Sequence, residues 1–362
     1  MKRLRVGLTP ERVRRHFSVS ARHGAEMEIA ALGRLAGVVP PRRGKTISQS
    51  IGSRSGGPHS LRWMTPPRKI LVVAKPDDAA TLDAAQRLTE LCRSRHPSLQ
   101  LVYEASLARA LSISQPPPQL DHVDLVVGFG GDGTLLHVSS TFASGPCPPV
   151  LGFSLGTIGF MMPFNIDALE TALDDTLASR GNVLLRMRLA CSVVGTGEDA
   201  LAVGTDHQAL NEVHIHRGRH PHLTRIDTVV NGKRLTEAVG DGLLVSTPTG
   251  STAYSLSAGG PIVHPSVPGM LLTPICPRSL AFRSVVLPSD AQIELRVQPS
   301  SRSSVEVSLD GREGSPLEPG QALRVGMSEY PVPSLVPAGE DTFLADLDLL
   351  AWNATFTRRR SK

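Results

Sequence analysis

In the first half of the chain, apolar residues fall into short solid runs, and the stretches between those runs carry helical spacing. Ile70-Leu71-Val72-Val73-Ala74 is an unbroken apolar run stopped by Pro76-Asp77-Asp78, the pattern of a buried strand and its closing turn. Residues 78–95 place Leu82, Ala85, Leu88, Thr89 and Cys92 on one face at spacings of three and four, which predicts an amphipathic helix. Further strands are predicted at Leu99 to Tyr103, Val123 to Phe129 and Pro149 to Ser154, with helices starting near Asp132 and over 165–180. Strands alternating with helices predict a parallel sheet covered on its faces. From about Leu184 the rhythm changes to short β-like runs: Leu184 to Val194, Leu210 to His216, Leu223 to Val230, Leu243 to Thr247, Ile293 to Val297 and Val305 to Leu309. Asn231-Gly232 and Asp310-Gly311 sit between such runs and tolerate the positive φ of tight hairpins. An all-β layered unit should follow the α/β unit. Helical periodicity returns over Asp341 to Asn353, predicting a last helix that packs back on the first domain, with Trp352 as an anchor.

Length and charge refine this outline. At 362 residues the chain is too long for one typical domain. It divides into a leader (1–65), an α/β domain (66–182, joined by 340–356) and a β domain (183–339). No run reaches the roughly 18 apolar residues of a membrane span. The net charge of +5 is unevenly spread: residues 1–65 hold eleven Arg and two Lys against Glu11, Glu26 and Glu28, a balance of +10. The remaining 25 basic and 30 acidic residues give −5, which argues against a nucleic-acid partner. An Arg-rich, acid-poor start is the composition of a mitochondrial transit peptide, and Arg15-His16-Phe17-Ser18 is similar to a matrix-protease processing site. The expected location is the mitochondrial matrix. Cys92, Cys147, Cys191 and Cys276 are spaced singly, so neither a zinc site nor a disulfide framework follows.

Two stretches carry chemistry. Gly130-Gly131-Asp132-Gly133-Thr134 directly follows a predicted strand, where ligands bind open α/β sheets. Glycines there let backbone N–H groups approach phosphates beside a helix N-terminus. An acid in such a loop repels phosphate, so Asp132 needs a reason: it accepts a proton from an attacking hydroxyl, binds through a metal, or merely caps the helix. The second stretch runs from Gly240-Asp241-Gly242 through Thr247-Pro248-Thr249-Gly250-Ser251-Thr252-Ala253-Tyr254 to Gly259-Gly260-Pro261. Small hydroxyl residues at this density after a strand suit a loop that wraps a polar ligand, with Tyr254 against a ring; a flexible linker is the alternative. His214, His216, His220 and His222 are crowded enough to raise a metal site, but their irregular spacing favours a solvated turn.

The order and wording of these stretches resemble the NAD kinase family, over about residues 68–353. Leu155-Gly156-Thr157-Ile158-Gly159-Phe160, Asn211-Glu212 and Pro274-Ile275-Cys276-Pro277-Arg278-Ser279-Leu280 add to the likeness. The presequence and the last of these motifs are most similar to the mitochondrial NADH kinases of fungi. The resemblance implies a Rossmann-like first domain, a β-sandwich second domain, and a site between them in a homo-oligomer, dimer or tetramer. It implies that Asp132 is the general base toward the ribose 2′-hydroxyl and that Gly133 contacts NAD or NADH. Gly130, Gly131, Gly133 and Thr134 would form the phosphate loop. Asn211 and Glu212 would hold the adenosine portion, Asp241 would lie toward the nicotinamide end, and Thr252, Ala253, Tyr254 and Ser257 would enclose the adenine. His222 is a further residue that would touch substrate. ATP would be the phosphoryl donor, with Mg²⁺ bound to it. Val239 stands where many bacterial relatives carry Arg, so a contact made by that Arg is not carried over. Two other readings compete: a lipid kinase of the diacylglycerol or sphingosine type, which leaves the hydroxyl-rich loop unexplained, and an inactive dinucleotide-binding protein.

Overall fold

The strand Lys69–Ala74 lies inside the first sheet, one strand from its edge, and every residue from Ile70 onward is apolar and buried. It runs parallel to Gln100–Tyr103 on one side and Leu125–Phe129 on the other, and the latter runs parallel to Val150–Ser154. Successive side chains point to opposite faces. Ile70, Val72 and Ala74 therefore pack with Ala84, Ala85, Leu88 and Cys92 of the helix Ala79–Arg95. Leu71 and Val73 face the other way, onto Leu135 and Val138 of the helix Asp132–Thr141. Asp78 starts the first helix by accepting the Ala80 N–H at 3.0 Å.

The protein is described from a computed structural model, which covers residues 59–156, 159–195 and 207–338, the strands Ser18–Ser20 and Glu26–Ile29, and residues 343, 344 and 347. Most of the leader, including Arg15 to Phe17 of the expected processing stretch, lies outside the described residues. So do Thr157, Ile158, Trp352 and most of the expected last helix. Phe343 packs against Phe160 of the first domain, ring centroids 6.1 Å apart, and edge-on against His264 at 4.7 Å. Among the described residues no helix is long and apolar enough to cross a membrane.

The first sheet also recruits two strands from later in the chain. Val332–Val336 lies parallel to Val150–Ser154, with Ser334 opposite Val150, and antiparallel to Asn182–Arg186. The run Leu184 to Val194, which reads as one strand, is thus two: Asn182–Arg186 in this sheet and Leu189–Val194 in the next. The break falls at Arg188, whose fully buried guanidinium turns inward to bond main-chain carbonyls.

Two six-stranded antiparallel sheets form the rest. Alternate residues of each strand meet in one core: Leu189 and Cys191, Ile293, Leu295 and Val297 from one sheet, and Val213, Ile215, Leu243, Val245, Met270 and Leu272 from the other. The hairpin turn at Asn231-Gly232 has φ of 49° and 76°, as the sequence predicts. An α/β domain followed by a β-sandwich is the architecture. The same alternation turns Glu212, His214 and His216 to the outer face of the second sheet, and the candidate site is built on that face.

Candidate active site

Asp132 opens its helix directly after the strand Leu125–Phe129 and the turn at Gly130, whose φ is 145°. Its carboxylate does not cap that helix. Gly131 holds the cap position, and Asp132 Oδ1 instead accepts the Met161 N–H at 3.0 Å, with the Phe160 amide donating as well. Burial pushes the Asp132 carboxyl above the usual range; the Met161 amide, the Arg186 charge and the Phe160 amide oppose that shift. Gly159 makes the arrangement possible, because a β-carbon there would overlap Asp132 Oδ1. At Gly131 and Gly133 a β-carbon would meet nothing within 4 Å, so the loop presents open backbone to the cleft. The Thr134 hydroxyl beneath it is buried with no partner.

Asn211 and Glu212 are held by a carboxylate in a hairpin turn about a hundred residues further on. Asp310, at φ 48° in its hairpin turn, accepts the N–H groups of Leu210, Asn211 and Glu212 at 2.8, 2.7 and 3.1 Å. The hydroxyl-rich loop is pinned to the same place. Thr247 donates its N–H to Asn211 O at 2.8 Å and its hydroxyl to Leu210 O at 2.6 Å, and accepts the Gly250 N–H at 3.0 Å. Gly250 lies so close that a β-carbon would overlap the Asn211 carbonyl oxygen.

This clamp leaves Asn211 Oδ1 and Glu212 Oε2 buried with no hydrogen-bond partner. Buried acceptors left unpaired are costly, and two on consecutive residues suit the hydroxyl and amine donors of a nucleoside. Burial, and next the neighbouring Asp310 charge, push the Glu212 carboxyl up to about 7, while the Tyr254 amide draws it down.

Thr252, Ala253, Tyr254 and Ser257 follow on the helical turns Thr249–Thr252 and Tyr254–Ser257. Thr252 bonds back to Thr249 O at 3.3 Å, Ser257 is exposed, and the half-exposed Tyr254 ring stands edge-on to His214 at 5.2 Å.

Two connections bring the halves together. Leu210 is fully buried in the first domain's core beside Leu135 and Val138 of the Asp132 helix. Arg186 donates to Phe160 O at 2.8 Å and reaches Thr249 Oγ1 at 3.4 Å. Asp241 is not part of this cluster. It sits just before Gly242, which pairs with His216 at the opposite end of the strands from Glu212, so it is five residues or roughly 17 Å away along the strand, and it is paired with Arg217 Nε at 2.8 Å. The crowded histidines are not one turn: His214 and His216 stack on a strand at 4.3 Å, and burial drives His214 down to about 4. His222 is exposed in the following turn. No group of three or more His, Cys, Asp or Glu could hold a metal among the described residues.

Sequence reasoning missed Arg186 and the clamping role of Asp310. Asp310-Gly311 reads as hairpin chemistry alone, and nothing in the run around Arg186 marks its charge as inward-facing.

An acid at the carboxyl edge of a parallel sheet, joined through Arg186 to a hydroxyl-rich loop of a β-sandwich, defines a two-domain nucleotide-binding protein. The chain belongs to the NAD kinase family: residues 70–181 match the ATP-NAD kinase N-terminal domain and residues 210–337 its C-terminal domain. It is 39% identical over 331 residues to the mitochondrial NADH kinase pos5 of Schizosaccharomyces pombe, covering 89% of this chain and 84% of that one. It is 36% identical to the mitochondrial NADH kinase POS5 of Saccharomyces cerevisiae, covering 74% and 69%. The fold matches the crystal structure of yeast NADH kinase complexed with NADH at a TM-score of 0.77 and 32% identity, over 86% of this chain and 95% of that one.

Proposed function

We propose that this protein is a mitochondrial kinase that transfers the γ-phosphoryl group of ATP to the adenosine 2′-hydroxyl of NADH or NAD. The observation that carries the reading is the pair of buried, unpartnered acceptors, Asn211 Oδ1 and Glu212 Oε2, tied through Leu210 to the helix that begins with Asp132. The acceptors hold adenosine donors, including a ribose hydroxyl. Asp132 takes the proton of the 2′-oxygen as that oxygen bonds to the γ-phosphorus and the bond to the ADP oxygen breaks. Phosphoryl transfer depends mainly on positioning and charge neutralisation. The open backbone at Gly131 and Gly133 gives phosphate oxygens N–H donors near the positive end of a helix. Mg²⁺ bound to ATP would supply charge neutralisation on the phosphates that the Gly131 and Gly133 backbone would hold. Asp241 serves the nicotinamide end, the enzyme works in the matrix, and it assembles as a homo-oligomer.

The test is a coupled assay of the purified protein with ATP, Mg²⁺ and NADH, NAD or diacylglycerol. NADPH or NADP is the expected product, and product from neither dinucleotide sinks the reading. Asp132→Asn should melt like the wild type and lose at least ~10²-fold in turnover.

A further inference from the structure

Arg186 is the last residue of the strand Asn182–Arg186, where the chain leaves the first sheet for the sandwich. It is only 2% exposed. A guanidinium is costly to bury unless hydrogen bonds and an opposite charge offset the lost hydration. Here both are supplied by the site. Phe160, whose carbonyl accepts one arm of the fork, lies in the segment whose amides hold the Asp132 carboxylate. Thr249, approached by the other arm, begins the hydroxyl-rich turn that continues to Tyr254. A planar fork with fixed donors can span two such partners, which a single ammonium cannot.

Arg188 shows the contrast. Two residues further on, it donates only to the carbonyls of Tyr330, Ser139, Phe142 and Gly145, a purely structural set.

The geometry points to Arg186 as a positioning residue for the transfer: it fixes the Asp132 loop against the Thr249 loop and presents its charge to the Asp132 carboxylate. The other groups drawn on by that carboxyl are the Met161 and Phe160 amides, which no side-chain change at 186 removes. Arg186 therefore does two separable things. Its charge favours the ionised base against burial, and its fork ties the Phe160 segment to the Thr249 turn. The inference rests on Asp132 being the general base.

The experiment measures kcat and KM against pH for wild type, Arg186→Gln, Arg186→Lys and Asp132→Asn, with folding checked by circular dichroism. In Arg186→Gln the acid limb of the profile should move to higher pH. On the acid side its kcat should fall by about 10-fold for each pH unit the limb moves, recovering as the pH rises. KM for the dinucleotide should rise as well. Arg186→Lys should restore the limb but not the KM. An unmoved limb in folded Arg186→Gln, with Asp132→Asn inactive, overturns the inference and leaves the base in place. An active Asp132→Asn removes the base and this role with it. Should Arg186→Gln not fold, Arg186→Lys decides: a wild-type limb with raised KM supports the assignment, and unaltered limb and KM overturn it.

Discussion

At Glu212 a carboxyl has been taken out of water and set near a second buried acid, Asp310, with the proton affinity that follows. Between the ordinary carboxylate range and about 7, the folded chain keeps a proton that the unfolded chain releases. Stability tied to this group is therefore present at low pH and lost as the pH rises toward 7. Glu212→Gln removes the penalty: above pH 7 it should be more stable than wild type by on the order of 1–3 kcal/mol, with the gap closing near pH 4. Melting scans across that range check it, and a gap that persists on acidification would refute the assignment. Gly159 argues the opposite kind of case. The atom a β-carbon would strike is the far end of the Asp132 side chain, which can swing away cheaply. Gly159→Ala should cost less than about 1 kcal/mol of stability, since its damage falls on no packed core. Turnover should fall by about 10²-fold, the usual worth of a displaced base. Loss of fold with turnover per folded molecule unchanged would show that Gly159 serves packing instead.

The helix Asp132–Thr141 is held by Arg188 as well as by its own apolar face. The guanidinium accepts no bond and donates to the carbonyls of Ser139 and Phe142 at the helix end, then to Gly145 and Tyr330. Arg188→Leu strands those carbonyls in the interior and should cost about 3 kcal/mol or more. That amounts to a fall in Tm of roughly 6–12 °C, and an unchanged melting point would mean that water or other donors replace the clamp. Such elements also show what the sequence made legible. Ile70 to Ala74 and the helix after it were readable because burial on both strand faces, or on one helix face, imposes a pattern over consecutive residues. Lys233–Gly240 was not, because an outer hairpin strand with Lys233, Arg234, Leu235 exposed carries no alternation. Leu184 to Val194 reads as a single run because the event that splits it, a buried cation at Arg188, depends on carbonyls more than forty residues away in either direction.

At the scale of the molecule, the two halves of the site were recognisable and the joint between them was not. Asp132 and the Thr247 to Tyr254 loop declare themselves by residue types that make poor core. What aligns them is ordinary in sequence: an arginine, a hairpin aspartate and a leucine. Leu210 is the clearest of these. Its side chain is buried in the first domain's core with Leu135 and Val138, while its N–H is bound by Asp310 of the sandwich at 2.8 Å. Asn211 and Glu212 follow immediately, so the acceptors that face the ligand take their placement from a side chain inserted beneath the Asp132 helix. Leu210→Ala should leave a cavity costing about 2–5 kcal/mol. Because the cavity lies at the joint, it should also loosen the register between the two halves. KM for the dinucleotide should rise several-fold while kcat at saturation falls less, as expected when binding geometry rather than the base is disturbed. A purely stabilising role predicts lower melting with KM unmoved at temperatures where the variant stays folded, and that result would separate the packing of this joint from the alignment of the site.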